Sequence, residues 1–134
     1  MSLVVDASVV VKWFLPEPDS HLAERALMSG EALLAPELVL AEVGNAVWRR
    51  TLTGEVEMED AGRIVDRAAS AFTALVPLAE IGRAAMQAAV TLKHPIYDCF
   101  YLALAAREGA ALVTADRRLR ELGDRMGVRV ELLA

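Results

Sequence analysis

Short apolar runs alternate along this chain with longer stretches of helical periodicity, and that alternation restricts the fold more than any other feature. Residues 2–5, 32–35, 73–77, 111–114 and 128–133 read as strands, and residues 8–14, 20–28, 57–71, 80–93, 96–108 and 117–126 as helices. A further helix is expected to start with Pro36 in its first turn and to run to about Thr51. The punctuation agrees with this division. Pro16 and Pro18 end the first helix, Ser29-Gly30 the second and Thr53-Gly54 the third, while Gly109 and Gly127 close the last two. Glu57, Glu59 and Asp60 suit the positive end of the helix they open. Strand and helix in regular succession predict a layered α/β sandwich with a parallel sheet, in a single domain spanning residues 1–134.

Composition excludes several other classes. A chain of 134 residues has an ordinary length for one globular domain with one core. Its 55% hydrophobic content and 5% aromatic share favour a helix-rich α/β or all-α protein over a disordered chain or a β-sandwich. Lys12, Glu42, Asp98 and Arg107 interrupt the best apolar stretches, so none approaches the roughly 20 residues of a membrane helix. The start of the chain carries no basic segment followed by a signal-peptide core, and a cytoplasmic protein with no membrane partner is expected. The single cysteine, Cys99, leaves no internal disulfide to form, and its neighbours Phe100 and Leu102 fit a buried small hydrophobe better than a nucleophile.

Four acidic residues stand where four separate hydrophobic runs stop. Asp6 follows Leu3-Val4-Val5, Glu42 lies early in the helical run after Leu33-Leu34-Ala35-Pro36, Asp98 follows Pro95-Ile96-Tyr97, and Asp116 follows Ala111-Leu112-Val113-Thr114. In a parallel sheet the strands share a direction, so residues just past their carboxyl ends meet in one crevice. Taken singly, three of the four have ordinary explanations. Asp6 suits an Asx turn, Asp116 a helix N-cap, and Asp98 the first turn of a helix. Glu42 does not, because Leu38-Val39-Leu40-Ala41 before it and Val43 after it are apolar, and an acid in such surroundings calls for a partner. Asn45, three residues on, shares its helix face. Together the four predict one carboxylate cluster whose mutual repulsion a cation relieves. With no His or Cys set beside them, the expected ion is hard and oxygen-loving, Mg²⁺ or Mn²⁺.

The net charge of −5 and pI near 5.0, taken alone, argue against a nucleic-acid partner. The balance is local, however. Lys12, Arg49, Arg50, Arg117, Arg118 and Arg120 all follow the acidic positions closely and make a candidate basic rim, against the alternative that they are solvated helix-face charges.

Four segments, Leu3 to Ser8, Pro36 to Ala46, Tyr97 to Ala105 and Leu112 to Leu119, resemble the successive motifs of PIN-domain ribonucleases, most closely the VapC-type toxins of toxin-antitoxin pairs. The resemblance spans nearly the whole chain in the expected order, with residues 54–93 carrying no motif. It implies a PIN-like three-layer α/β/α sandwich with a five-stranded parallel sheet, a Mg²⁺- or Mn²⁺-dependent endoribonuclease, a small inhibitory antitoxin and a homodimer. By motif position it assigns metal and water binding to Asp6, Glu42, Asp98 and Asp116, and a supporting polar role to Ser8, Asn45 and Thr114.

The chemistry is consistent with those residue types. Phosphodiester hydrolysis needs a nucleophilic water near neutral pH and relief of charge on the phosphate oxygens, and a carboxylate-held divalent ion supplies both. Asp6 and Asp98 are the expected direct ligands, Asp116 a direct or water-mediated one, and Glu42 the group that orients or deprotonates the water. Lys12, Arg49 and Arg117 are the candidate RNA contacts. Mechanism and resemblance together predict products with a 5′-phosphate and a 3′-hydroxyl. A haloacid-dehalogenase-type phosphatase would need a second Asp where Ser8 stands, and a receiver domain would need an Asp where Leu78-Ala79-Glu80 follow the third strand. The non-enzymatic alternative is a PIN-like protein- or RNA-binding module. His94 and His21 read as surface or hydrogen-bonded residues, and Trp13, Phe14 and Trp48 as core or interface residues.

Overall fold

The structure, a computed structural model, describes residues 1–133. The elements run β1 (Ser2–Val5), α1 (Ala7–Phe14), α2 (Ser20–Leu27), β2 (Ala32–Pro36), α3 (Leu38–Leu52), α4 (Met58–Ala71), β3 (Ala74–Val76), α5 (Leu78–Leu92), α6 (Ile96–Glu108), β4 (Ala111–Thr114), α7 (Arg117–Met126) and β5 (Val130–Leu132). The five strands form one sheet in the order β3-β2-β1-β4-β5, and every pairing is parallel. The expected architecture is therefore present.

The order of the strands dictates where the helices lie. From β1 the chain moves outward through β2 to β3, then returns to the other side of β1 for β4 and β5. Right-handed crossovers in opposite directions put α1 to α4 on one face of the sheet and α5 to α7 on the other. The packing follows that division, with α1 against α2 and α3, α3 against α4, α5 against α6, and α6 against α7. Val4, Val5 and Leu112 of the two central strands are fully buried between these layers. Helix α6 lies across β1, β2 and β4 with α5 over it, which is why Tyr101, Leu102, Ala103, Leu104 and Ala105 are all buried in succession. Because α6 passes into β4 through only Gly109 and Ala110, it runs against the strands. Its first turn, which carries Asp98, thus sits at the carboxyl edge of the sheet.

Several boundaries shift by one or two residues from expectation, α5 for instance beginning at Leu78 rather than at residue 80, and two of the shifts have a clear structural cause. Pro36 is the last residue of β2, in register with Val76, and the helix begins at Leu38. The ladder with β1 has already stopped at Leu34, so the N–H that proline lacks has no strand to serve, and the Glu37 N–H continues the pairing by donating to the Val76 carbonyl at 2.9 Å. The last strand is shorter than residues 128–133 and starts at Val130. Val128 belongs instead to the helix stop, its N–H donating to the Gly123 carbonyl at 2.9 Å beyond a left-handed Gly127 (φ 72°).

Gly123 is a packing glycine. A Cβ there would overlap Cγ2 of Val130 and stand 3.2 Å from the Val128 carbonyl oxygen, so α7 can approach β5 only without a side chain. Gly123→Ala is expected to cost about 1–3 kcal/mol, read as a lower midpoint in urea unfolding. An unchanged midpoint would show that the α7–β5 contact relaxes freely.

Candidate active site

The strand order reverses between β1 and β4, and at that switch point parallel sheets leave a crevice at their carboxyl ends. Register brings the two polar termini together. Val5 pairs with Val113, so the next residues, Asp6 and Thr114, lie side by side, with the Asp6 N–H on the Val113 carbonyl at 3.1 Å.

Asp6 is only 6% exposed. It caps α1, its Oδ1 accepting the Ser8 N–H at 2.5 Å, while Oδ2 accepts the hydroxyls of Ser8 at 3.1 Å and of Thr114. Those hydroxyl oxygens in turn accept the N–H groups of Ala115 and Asp116, both at 3.0 Å. Ser8 and Thr114 thus tie the β4–α7 turn to the Asp6 carboxylate. The Asx-turn reading of Asp6 and its burial at the crevice are both true of the same side chain. Burial raises its carboxyl above the usual range, the hydrogen bonds from Thr114 and Ser8 oppose this, and the charge of Asp98 adds to the rise.

Glu42, in the second turn of α3, is half-buried and has the partner its surroundings demanded. The Tyr101 hydroxyl donates to Oε1 at 2.6 Å. Burial raises the Glu42 carboxyl, the phenol lowers it, and the charges of Asp6 and Asp98 raise it again. Asp6, Glu42 and Asp98, from three separate elements, thus stand within one another's electrostatic reach. Asn45 is exposed one turn further along α3, and Glu42 is bonded to Tyr101 rather than to it.

Asp98 is turned towards His94, whose Nε2 lies 2.7 Å from Oδ2. His94 is thus a hydrogen-bonded residue, as expected, but one attached to the cluster. Asp116 is exposed and accepts the Arg118 N–H at 2.9 Å as the N-cap of α7. Its backbone is joined to the site through Thr114, whereas its carboxylate is directed at its own helix. Among the described residues, no three His, Cys, Asp or Glu side chains enclose an ion as they are placed.

The basic rim is smaller than the sequence suggested. Lys12 is committed to Glu17 at 2.6 Å and to Asp19 at 2.9 Å, and Arg50 to Glu17 at 3.0 Å and to Glu55 at 3.1 Å. Acids in the turn after α1 and after α3 neutralise both, which spacing from Asp6 and Glu42 does not reveal. Arg49 and Arg117 are exposed. A groove of about 350 Å³ beside the site is lined by Ser8, Val11, Lys12, Glu17, Ala46, Arg49, Arg50 and Ala115. Cys99 is buried, as expected. Trp13 packs at 6.1 Å between ring centroids on Phe72 and donates to the Ala23 carbonyl at 2.8 Å, whereas Trp48 is 55% exposed.

Tyr101 was not singled out by sequence. The signal was available: a tyrosine one turn after Asp98 on a helix apolar on every side must find a partner for its hydroxyl.

The chain is similar to several known proteins. The PIN domain family model matches residues 3–125. Ribonuclease VapC3 of Pyrobaculum aerophilum is 36% identical over 125 residues, covering 90% of this chain and 94% of that protein. Ribonuclease VapC1 of Mycobacterium tuberculosis is 31% identical over 118 residues, covering 87% and 86%. Among solved structures, VapBC2 from Rickettsia felis, bound to a DNA fragment from its promoter, superposes with a TM-score of 0.73 at 16% identity. That match covers 100% of both chains.

Proposed function

The chain belongs to the PIN domain family, and from that membership we propose that it is a VapC-type endoribonuclease, the toxin of a toxin-antitoxin pair. The observation that carries the reading is the convergence of Asp6, Glu42 and Asp98 at the sheet's switch point, with each carboxylate in the field of the others. Capping alone explains Asp116 and half of Asp6. It does not explain a half-buried glutamate beside a buried aspartate.

The donor set suits a hard divalent cation, Mg²⁺ or Mn²⁺. Every group is an oxygen donor, and neighbouring carboxylates repel unless a cation balances their charge. Asp6 and Asp98 would hold the ion, with Asp116 contributing directly or through water. When bound, it supplies Lewis-acid charge for the phosphate oxygens and a water activated near neutral pH. The protein's own part is positioning. Ser8 and Thr114 hold Asp6 in one orientation, and Tyr101 occupies one oxygen of Glu42. The other Glu42 oxygen orients the attacking water and accepts its proton, a task that suits a carboxyl raised above its ordinary range by burial. Arg49, on the groove wall and unencumbered by the ion pairs that hold Lys12 and Arg50, is the best-placed phosphate contact. Arg117, exposed in the first turn of α7 beside Asp116, is the second candidate contact.

An antitoxin that silences such a site would present an Arg or Lys side chain to the carboxylates. Exposed apolar residues, Trp48, Leu52 and Met58 around the α3–α4 pair and Met86, Val90 and Tyr97 on α5 and α6, suit association with that partner and with a second copy of this chain. No helix among the described residues is long and apolar enough to cross a membrane.

The test is cleavage of a circular RNA, which has no ends, by the purified protein with Mg²⁺ or Mn²⁺ and with chelator. Cleavage only with metal, leaving 5′-phosphate and 3′-hydroxyl termini and blocked by a cognate antitoxin, is the expected result. RNA bound but uncut at every metal concentration would favour the non-catalytic module. Cyclic-phosphate products would refute the water-based mechanism.

A further inference from the structure

Tyr101 is 1% exposed, yet its hydroxyl reaches the edge of the site. The residue lies three positions after Asp98 on α6 and therefore shares its helix face. Its ring is enclosed in the buried core of α6, next to Leu102 and near Leu104, neither of which has any exposed surface. A phenol has a single proton to donate, and here that proton goes to Glu42 Oε1 at 2.6 Å, the short distance of a hydrogen bond to an ionised acceptor. Burial, with the charges of Glu42 and Asp6, raises the phenol well above its ordinary range.

We propose that Tyr101 is a positioning residue of the site: its hydroxyl transfers the rigidity of the α6 core to the Glu42 carboxylate, fixing one oxygen so that the other faces the reacting water. The assignment rests on the ribonuclease reading above. Glutamate has three side-chain torsions, and on a half-exposed helix face nothing else bonded to Glu42 holds them. A hydrogen bond that merely stabilised the fold could equally join two groups remote from the carboxylates. This one ends on the glutamate that shares a field with Asp6 and Asp98. Tyr101 touches no substrate and acts only through Glu42.

The experiment is a double-mutant cycle on turnover. Tyr101→Phe removes one oxygen and no packing volume. It is expected to lower kcat by about 10- to 100-fold, the effect of a small misplacement of a reacting group, with KM changed by less than about twofold. In a Glu42→Ala background the same substitution should change kcat by less than about twofold, since the residue it acts through is gone. Equal losses in both backgrounds, or no loss in the wild-type background, would overturn the assignment while leaving the nuclease reading intact. A wild type that fails to cleave RNA with metal overturns both. A readout independent of activity is the phenolic proton, which should give an exchange-protected NMR resonance in the wild type that Glu42→Ala shifts or abolishes. Its absence from the wild type, or its indifference to Glu42→Ala, also refutes the proposal, even if Tyr101→Phe proves unstable.

Discussion

Asp6→Asn is expected to lower metal-dependent RNA cleavage by roughly 10³-fold or more, because it neutralises the most deeply placed carboxylate of the site. The fold should survive. An asparagine oxygen can still accept the Ser8 N–H, and its amide hydrogens can donate to the Ser8 and Thr114 hydroxyl oxygens, which now stand as donors to Oδ2. Those hydroxyls keep their bonds from the Ala115 and Asp116 amides. Single-turnover cleavage in Mn²⁺, with far-ultraviolet circular dichroism as the control, makes the comparison. Activity within tenfold of the wild type in a folded Asp6→Asn protein would remove Asp6 from the reaction.

The second large effect is on stability, and it has opposite signs with and without metal. An ion that binds only the folded protein, present at about a hundred times its Kd, adds roughly 2.7 kcal/mol. For a domain of this size that raises Tm by roughly 10 °C, and Asp6→Asn should abolish most of the rise. In chelator the sign reverses. The folded-state pKa of Asp6 is raised above its ordinary value of 3.8, so the folded protein holds that proton more tightly than the unfolded chain does. The stability contributed by the protonated form is fully present below 3.8 and is lost as the pH rises through the folded-state value. At pH 7 the wild type therefore carries a destabilising charge that Asp6→Asn lacks. The variant should melt higher than the wild type in chelator at pH 7, with the gap narrowing as the pH approaches 4. Calorimetry with and without Mn²⁺ measures both arms. A variant that melts lower at neutral pH in chelator would mean that the Asp6 hydrogen bonds outweigh the cost of burying its charge.

The fold was largely legible because its signals are local and repeated. Apolar runs, prolines and terminal glycines mark each element, and the regular alternation leaves few topologies. Two of the shifted boundaries arise where one residue serves two elements: Pro36 has the chemistry of a helix start but completes a ladder with Val76, and Val128 is apolar like a strand residue but closes α7. The three aspartates stand out in the sequence because each follows an apolar run, and Glu42 because it interrupts one; the structure brings Asp6, Glu42 and Asp98 within one another's electrostatic reach. What joins them does not stand out. The Tyr101 to Glu42 bond spans 59 residues and the Lys12 to Glu17 to Arg50 chain links α1 to α3, and neither distance leaves a mark in one sequence. The carboxylate of Asp116, which caps its helix, shows the converse: a residue can fit a motif and a local role together.

The neighbourhood of Asp6 is assembled from opposite ends of the chain, with Thr114 joined to it across 108 residues and β4 inserted directly against β1. A ribosome making this protein therefore releases β1, β2 and β3 long before the strand that completes the crevice. Until β4 emerges, Asp6 has neither the Thr114 hydroxyl nor the turn that Ser8 anchors, and half of the central pairing is missing. An unfinished copy of this protein therefore lacks the formed neighbourhood of Asp6. Nascent chains arrested before Ala111 should be inert towards RNA, whereas released full-length protein should not.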